Sequence, residues 1–229
     1  MTWDGGSNIF QTNSLNRPIP LPDDSSVHAI LPMSVLEALR NLDTPVEDGL
    51  EELAGEMVAK RLGLSATVAA QIGRYRTAAA GGSQVPLDEA VAVFRLAGRR
   101  PDAALVFADA GRRAARYAAR LSAFPVRALV RASPAPLSRR VGGRAVRTLA
   151  RRILRADLDF GPQGASARVV LPLSVQAHPD GRACGFYGAA IGELLRRFTG
   201  FEGAMIHHSC RGRGDSVCRW RAATGGGYE

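Results

Sequence analysis

Three cysteines and a histidine near the end of the chain carry its clearest chemistry. Cys184, His207, Cys210 and Cys218 are spaced Cys-x22-His-x2-Cys-x7-Cys, and the chain has no other cysteine. Three thiolates and an imidazole complete a tetrahedral Zn²⁺ shell and leave no position for substrate. The set therefore predicts a structural staple rather than a catalytic centre. His208 competes for the imidazole position. On an extended strand it shares a face with Cys210, whereas His207 reaches the same ion only across a bend. An iron–sulfur cluster fits less well, because its usual set is four thiolates. A Cys210–Cys218 disulfide, or a chance cluster of small buried cysteines, are the other readings.

Local elements must bring these groups together. Cys184 opens a helix predicted over 185–199, with Phe186, Ala190, Ile191, Leu194, Leu195 and Phe198 on one face and Gly200 as its cap. The positive end of that helix favours a thiolate. Cys210 and Cys218 flank a Gly- and Asp-containing turn over 211–216, between strands predicted over 202–209 and 217–222. Another strand is predicted over 167–176, followed by a His178-Pro179-Asp180-Gly181 turn. Upstream, the apolar spacing is helical over 32–42 (Ser34 as cap), 46–62, 65–77, 88–96, 101–121 and 139–158. The last two are basic, with Arg112, Arg113, Arg116 and Arg120 on one and Arg144, Arg147, Arg151, Arg152 and Arg155 on the other. The final helix reads either as solvated surface or as a docking element for an acidic protein or anionic membrane.

Residues 1–25 read as a flexible arm, 26–222 as a single domain with its metal-stapled part at 165–222, and 223–229 as a tail. A chain of 229 residues with 46% hydrophobic content can bury a sizeable core. No apolar run is long enough for a membrane span, and the N-terminus lacks signal-peptide character. The expected location is cytoplasmic, with a peripheral membrane position as a further expectation. Net charge is +9, and Lys60 is the only lysine. An Ala- and Arg-rich composition typical of a high-GC genome explains part of this. The rest suits an acidic partner or ligand carboxylates, which guanidinium holds in bidentate geometry. No helix-turn-helix or RNA-platform motif accompanies the arginines, which argues against nucleic acid.

The stretch Cys184-Gly-Phe-Tyr-Gly-Ala-Ala-Ile-Gly-Glu-Leu-Leu, followed by His207-His-Ser-Cys210-Arg-Gly-Arg-Gly-Asp-Ser-Val-Cys218-Arg-Trp, resembles the C-terminal signature of the 4-vinyl reductase domain family. In that signature a helix of small residues leads to an acidic or His ligand, a Cys, a Gly-Asp turn, and a final Cys followed by an aromatic. Zinc-binding relatives commonly carry Glu where His207 stands, so the resemblance implies His207 rather than His208 as the fourth ligand. The likeness is specific over about 165–222; over 25–160 only helix count and order agree. It implies an α+β fold, a helical layer packed on a twisted antiparallel sheet. That fold is similar to Golgi vesicle-tethering subunits and nitric-oxide-signalling ligand-binding domains, with a hydrophobic pocket and frequent homodimers. Family members are sensory domains fused to transcription-activating modules, or stand-alone proteins of bacteriochlorophyll biosynthesis. The length of this chain suits the second kind.

Vinyl reduction needs a hydride or electron donor. No Gly-x-Gly-x-x-Gly follows a strand here, Gly81-Gly82 and Gly142-Gly143 are isolated pairs, and a closed zinc site does no redox chemistry. The chain thus reads best as a protein that binds and delivers a Mg-porphyrin or divinyl protochlorophyllide-type tetrapyrrole. A vinyl reductase with an external electron donor, and a small-molecule sensor, are the alternatives. Arg127, Arg131 and Arg197 are candidates to pair with propionates, and His28 or His208 to ligate the ring Mg²⁺ axially. The resemblance raises the magnesium chelatase large subunit, or another pathway enzyme, as protein partner.

Overall fold

The structure is a computed structural model that describes residues 25–44, 62–121, 135–161 and 164–223. Residues 1–24 of the predicted arm, 46–61 of the helix predicted over 46–62, Arg127, Arg131 and residues 224–229 of the tail lie outside the described residues. In chain order the elements are β1 (Ser26–His28), α1 (Ile30–Asp43), α2 (Ala66–Ala80), β2 (Gln84–Pro86), α3 (Leu87–Gly98), α4 (Ala103–Leu121) and α5 (Ala135–Leu149). There follow β3 (Asp157–Gly161), β4 (Gly164–Val169), α6 (Leu173–Ala177), α7 (Gly185–Thr199), β5 (Ala204–Ser209) and β6 (Cys218–Ala223). The architecture is α+β. Helices form one layer, and an antiparallel sheet of order β3-β4-β6-β5 forms the other. A separate ribbon pairs β1 with β2. No helix among the described residues is long and apolar enough to cross a membrane.

Helix α7 is the hub, packed against α4, α5 and β5. Its buried face carries Phe186, Tyr187, Ala190, Ile191, Leu194, Leu195 and Phe198. Helix α4 meets it with small residues: Ala110, Gly111, Ala114, Ala115 and Ala118 are all buried. Small side chains let the two backbones approach closely. At Gly111 the approach is so close that a Cβ would overlap the Phe186 carbonyl. An aromatic chain then runs from the helical layer to the sheet. Phe94 contacts Phe107 and Phe186 at centroid distances of 5.5 and 5.1 Å. Phe186 meets Tyr187, and Tyr187 meets Trp220, each at 5.5 Å. Such pairs add to the stabilisation that comes from burial.

The sheet has one dry face. Leu158, Ala165, Ala167, Val169, Met205, Cys218 and Trp220 are buried, while Arg168, Arg219, Arg221 and Ile206 stand exposed between them. This is the period-2 pattern of a half-buried antiparallel sheet.

Several expectations need correction. The strand predicted over 167–176 ends at Val169, and Leu173–Ala177 is a helical turn entered at Pro172. Proline pre-sets the backbone for a helix start and donates no ladder hydrogen bond. The helix predicted over 139–158 ends at Leu149, passes through a wider turn over Ala150–Leu154 and reverses at Arg155, whose φ is +52°. Leu158 therefore lies on a strand. Ser34 sits inside α1, where its hydroxyl donates to the Leu31 carbonyl, and it is not a cap. The basic side of that shortened segment is largely engaged within the chain. Arg147 donates to the Leu158 carbonyl and lies over the Phe160 ring, Arg151 pairs with Asp157, and Arg155 donates to the Ser26 carbonyl.

Candidate metal centre

Cys184, His207, Cys210 and Cys218 come from three different places in the fold. Cys184 lies just ahead of α7, His207 lies on β5, and Cys210 and Cys218 flank the loop from β5 to β6. Their ligand atoms all lie within 4.8 Å of one another. The sulfur of Cys210 is 4.0 Å from that of Cys184 and 3.9 Å from that of Cys218. These distances exclude disulfides in this state. They lie close to the separation of about 3.8 Å that a tetrahedral shell with Zn–S bonds of about 2.3 Å requires. All three cysteines are buried. His207 Nε2 is buried and has no hydrogen-bond partner, an arrangement that a metal bond would resolve. The donor set and its unmet nitrogen fit a single tetrahedral cation.

Backbone geometry builds this cradle. The β5–β6 loop folds back on itself: Cys210 N–H donates to Asp215 Oδ2 at 2.7 Å, and Asp215 N–H donates to the Cys210 carbonyl at 3.2 Å. Arg211 N–H points at the Cys218 sulfur, 3.3 Å away. Ser174 Oγ lies 3.2 Å from the Cys184 sulfur. The turn before α7 supplies the third wall. Gly181 sits there at φ +76°, and a Cβ on it would stand 2.6 Å from the Cys210 sulfur. Only glycine meets both demands.

The thiols share protons unequally. The hydrogen bond with Cys184 pulls the Cys218 thiol down, against burial, and further bonds from His207 and the Arg211 N–H act in the same direction. The same bond with Cys218, together with burial, pushes Cys184 up. A bound cation would displace the remaining thiol protons.

The structure brings His207 into the cluster and leaves His208 exposed on the other side of β5. His207 stacks on its cross-strand partner Trp220, with centroids 4.7 Å apart and planes 13° apart. The bend that His207 needs is present as an irregularity in the β5–β6 register between His207 and Ser209. Among the ligand-pairing candidates, Arg197 is engaged elsewhere. It donates to Glu193 at 2.8 Å, and Arg196 and Arg116 join at 2.6 and 3.4 Å. His28 is buried, and its Nδ1 accepts from the Ile30 N–H at 3.2 Å. In the neutral ring the proton then sits on Nε2, which is a donor without a partner rather than a free ligand. Burial, and then the Arg152 charge, hold the His28 pKa below its usual value, so the ring stays neutral. This geometry argues against His28 as an axial Mg²⁺ ligand.

Sequence reasoning did not single out Gly181 or Glu193 for the roles they play. Gly181 was legible as the end of a Pro-Asp-Gly turn; Glu193 looked like any helical carboxylate. Beside the cluster lies a cleft of about 240 Å³ between α7 and β5, lined by Gly188, Gly192, Met205, His207, Trp220 and Arg196 among others. The Trp220 indole N–H is buried there without an acceptor. A comparison with protein-family models, with curated proteins and with solved structures finds no match to this chain.

Proposed function

We propose that the chain is a zinc-stapled tetrapyrrole-binding protein of the 4-vinyl reductase family, serving bacteriochlorophyll biosynthesis as a carrier and acting as a homodimer. One observation supports the reading: the four residues of the family-like signature converge, with their ligand atoms all within 4.8 Å of one another. Zn²⁺ is the proposed cation, because three soft thiolates and an imidazole in a closed tetrahedral set suit it best. The helical layer on an antiparallel sheet supports the vesicle-tethering-like variant of the α+β class. The binding region proposed is the α7–β5 cleft. Gly188 and Gly192 put no side chain into it, and the stacked His207–Trp220 pair offers an aromatic wall with one unsatisfied N–H. At about 240 Å³ the cleft is smaller than a typical ligand pocket of roughly 300–1,000 Å³. It would take one edge of a macrocycle and leave the rest outside, which suits hand-over better than sealed chemistry.

Absorbance titration of the purified protein with Mg-protoporphyrin and with divinyl protochlorophyllide tests this. A band shift at roughly micromolar pigment is expected. Gly192→Leu should abolish the shift while metal content is retained. A Cβ at that position meets only Met205 Cγ, at 3.7 Å, so the larger side chain enters the cleft and not the core. No shift with either pigment would refute the reading. Monovinyl product formed in the presence of a reductant would replace the carrier with a reductase.

A further inference from the structure

The outer face of the four-stranded sheet carries a charge pattern that neither the metal nor the cleft uses. Strand pairing sets Arg168 directly opposite Arg219, and sets Arg221 between Ser166 and Ile206. Like charges directly opposed across an antiparallel pair destabilise it. Two carboxylates stand among the four arginines: Asp157 holds Arg151 at 3.0 Å and Arg168 at 3.5 Å, and Asp159 also lines the cradle, so the balance remains positive. Arg219 and Arg221 make no ion pair among the described residues, and both are exposed. Together these side chains line a shallow cradle of about 470 Å³. Apolar groups flank it. Ile206 is 54% exposed beside Arg221, and Val170 and Leu171, just beyond β4, are 53% and 51% exposed.

We propose that this face docks an acidic segment of a partner protein whose carboxylates alternate with apolar side chains. Carboxylates match the paired guanidiniums in bidentate geometry. The chain's net charge of +9 speeds encounter with such a partner. A second copy is a poor occupant, because it would bring the same arginine strip. Nucleic acid is also a poor fit, because the strip offers no Trp, Tyr or Phe for base stacking. The proposal is independent of whether the cluster holds a metal and of the pigment.

The test uses the full chain and a fluorescent synthetic peptide in which Glu-Asp pairs are separated by Leu. Arg219→Gln with Arg221→Gln should weaken binding by about tenfold or more, the scale of losing charge-assisted contacts. The control pair Arg99→Gln with Arg144→Gln removes the same charge from exposed sites elsewhere and should change binding by less than about twofold. Ile206→Asn should also weaken the peptide. Arg168→Gln, across the strand pair, gives the same readout if the double variant melts early. Equal losses in the two double variants would reduce the effect to general charge attraction and overturn the proposal. Tighter binding of an oligothymidylate of matched charge, with the same sensitivity to Arg219 and Arg221, would also overturn it.

Discussion

Cys184 is the ligand whose place depends most on tertiary structure. Cys210 and Cys218 are closed by a local loop, but Cys184 reaches them only because the turn at Gly181 lets two backbone segments touch. Gly181→Ala should therefore disturb the metal site from a position that carries no ligand. Left-handed backbone costs a non-glycine residue about 1–2 kcal/mol, and the sulfur contact adds to that. The expected outcome is a lower melting temperature and weaker metal retention against a chelator. At the fourth ligand, His207→Ala should reduce metal affinity by at least about 100-fold, more than the loss of an outer-shell partner. His207→Glu should retain the metal, since a carboxylate oxygen can replace the imidazole nitrogen. Isothermal titration of the apo forms with Zn²⁺ separates the two variants.

Glu193 is a second residue-scale feature, with a pH signature. Burial alone would raise its carboxyl, but hydrogen bonds from Arg197, Arg196 and Arg116 outweigh burial and hold it below the usual range. A lowered folded pKa stabilises the fold at pH above the unfolded value of about 4.3, and that contribution is lost as pH falls through the folded value. All three guanidiniums are about half exposed, so the contribution is about 1 kcal/mol. Melting curves of wild type and Glu193→Gln should differ at neutral pH and converge in acid.

At the scale of elements, the α4–α7 crossing is the joint that places Cys184. Gly111→Val would drive a branched side chain into the Phe186 backbone and should destabilise the fold by about 1–3 kcal/mol in chemical denaturation. Helices α4 and α7 were legible in the sequence because their apolar residues recur at helical spacing over many turns. The final hairpin was legible because Gly and Asp punctuate it. The segment over 167–176 was not, because a run of Val and Leu looks like strand in either state, and only Pro172 marks the change. The end of α5 was missed for a related reason. Ile153 and Leu154 remain buried through the wider turn at Ala150–Leu154, so the apolar pattern continues although the helix does not. Strands β1 and β2, with three residues each, fall below what any pattern can show.

At the scale of the whole molecule, the cluster ties the sheet to the helical layer. Three of its residues, His207, Cys210 and Cys218, lie with Trp220 on or beside β5 and β6, and the aromatic chain from Phe94 to His207 runs between the layers. Metal removal should loosen this junction first, so near-UV circular dichroism from Trp220 and Tyr187 should fall before the helical far-UV signal does. The clustering of the three cysteines was readable from their spacing, while the choice of His207 over His208 came from the family resemblance and not from spacing. The cleft and the arginine strip were not readable, because both arise where segments distant in sequence meet. Arg168 and Arg219 become neighbours only through strand pairing.

The most direct measurement is elemental analysis of the purified, folded protein, paired with its thermal melt. Zinc in equimolar amount with the chain is expected, lost in Cys218→Ser together with a marked drop in melting temperature. Folded protein without bound metal, and a serine variant that melts like the wild type, would contradict the account.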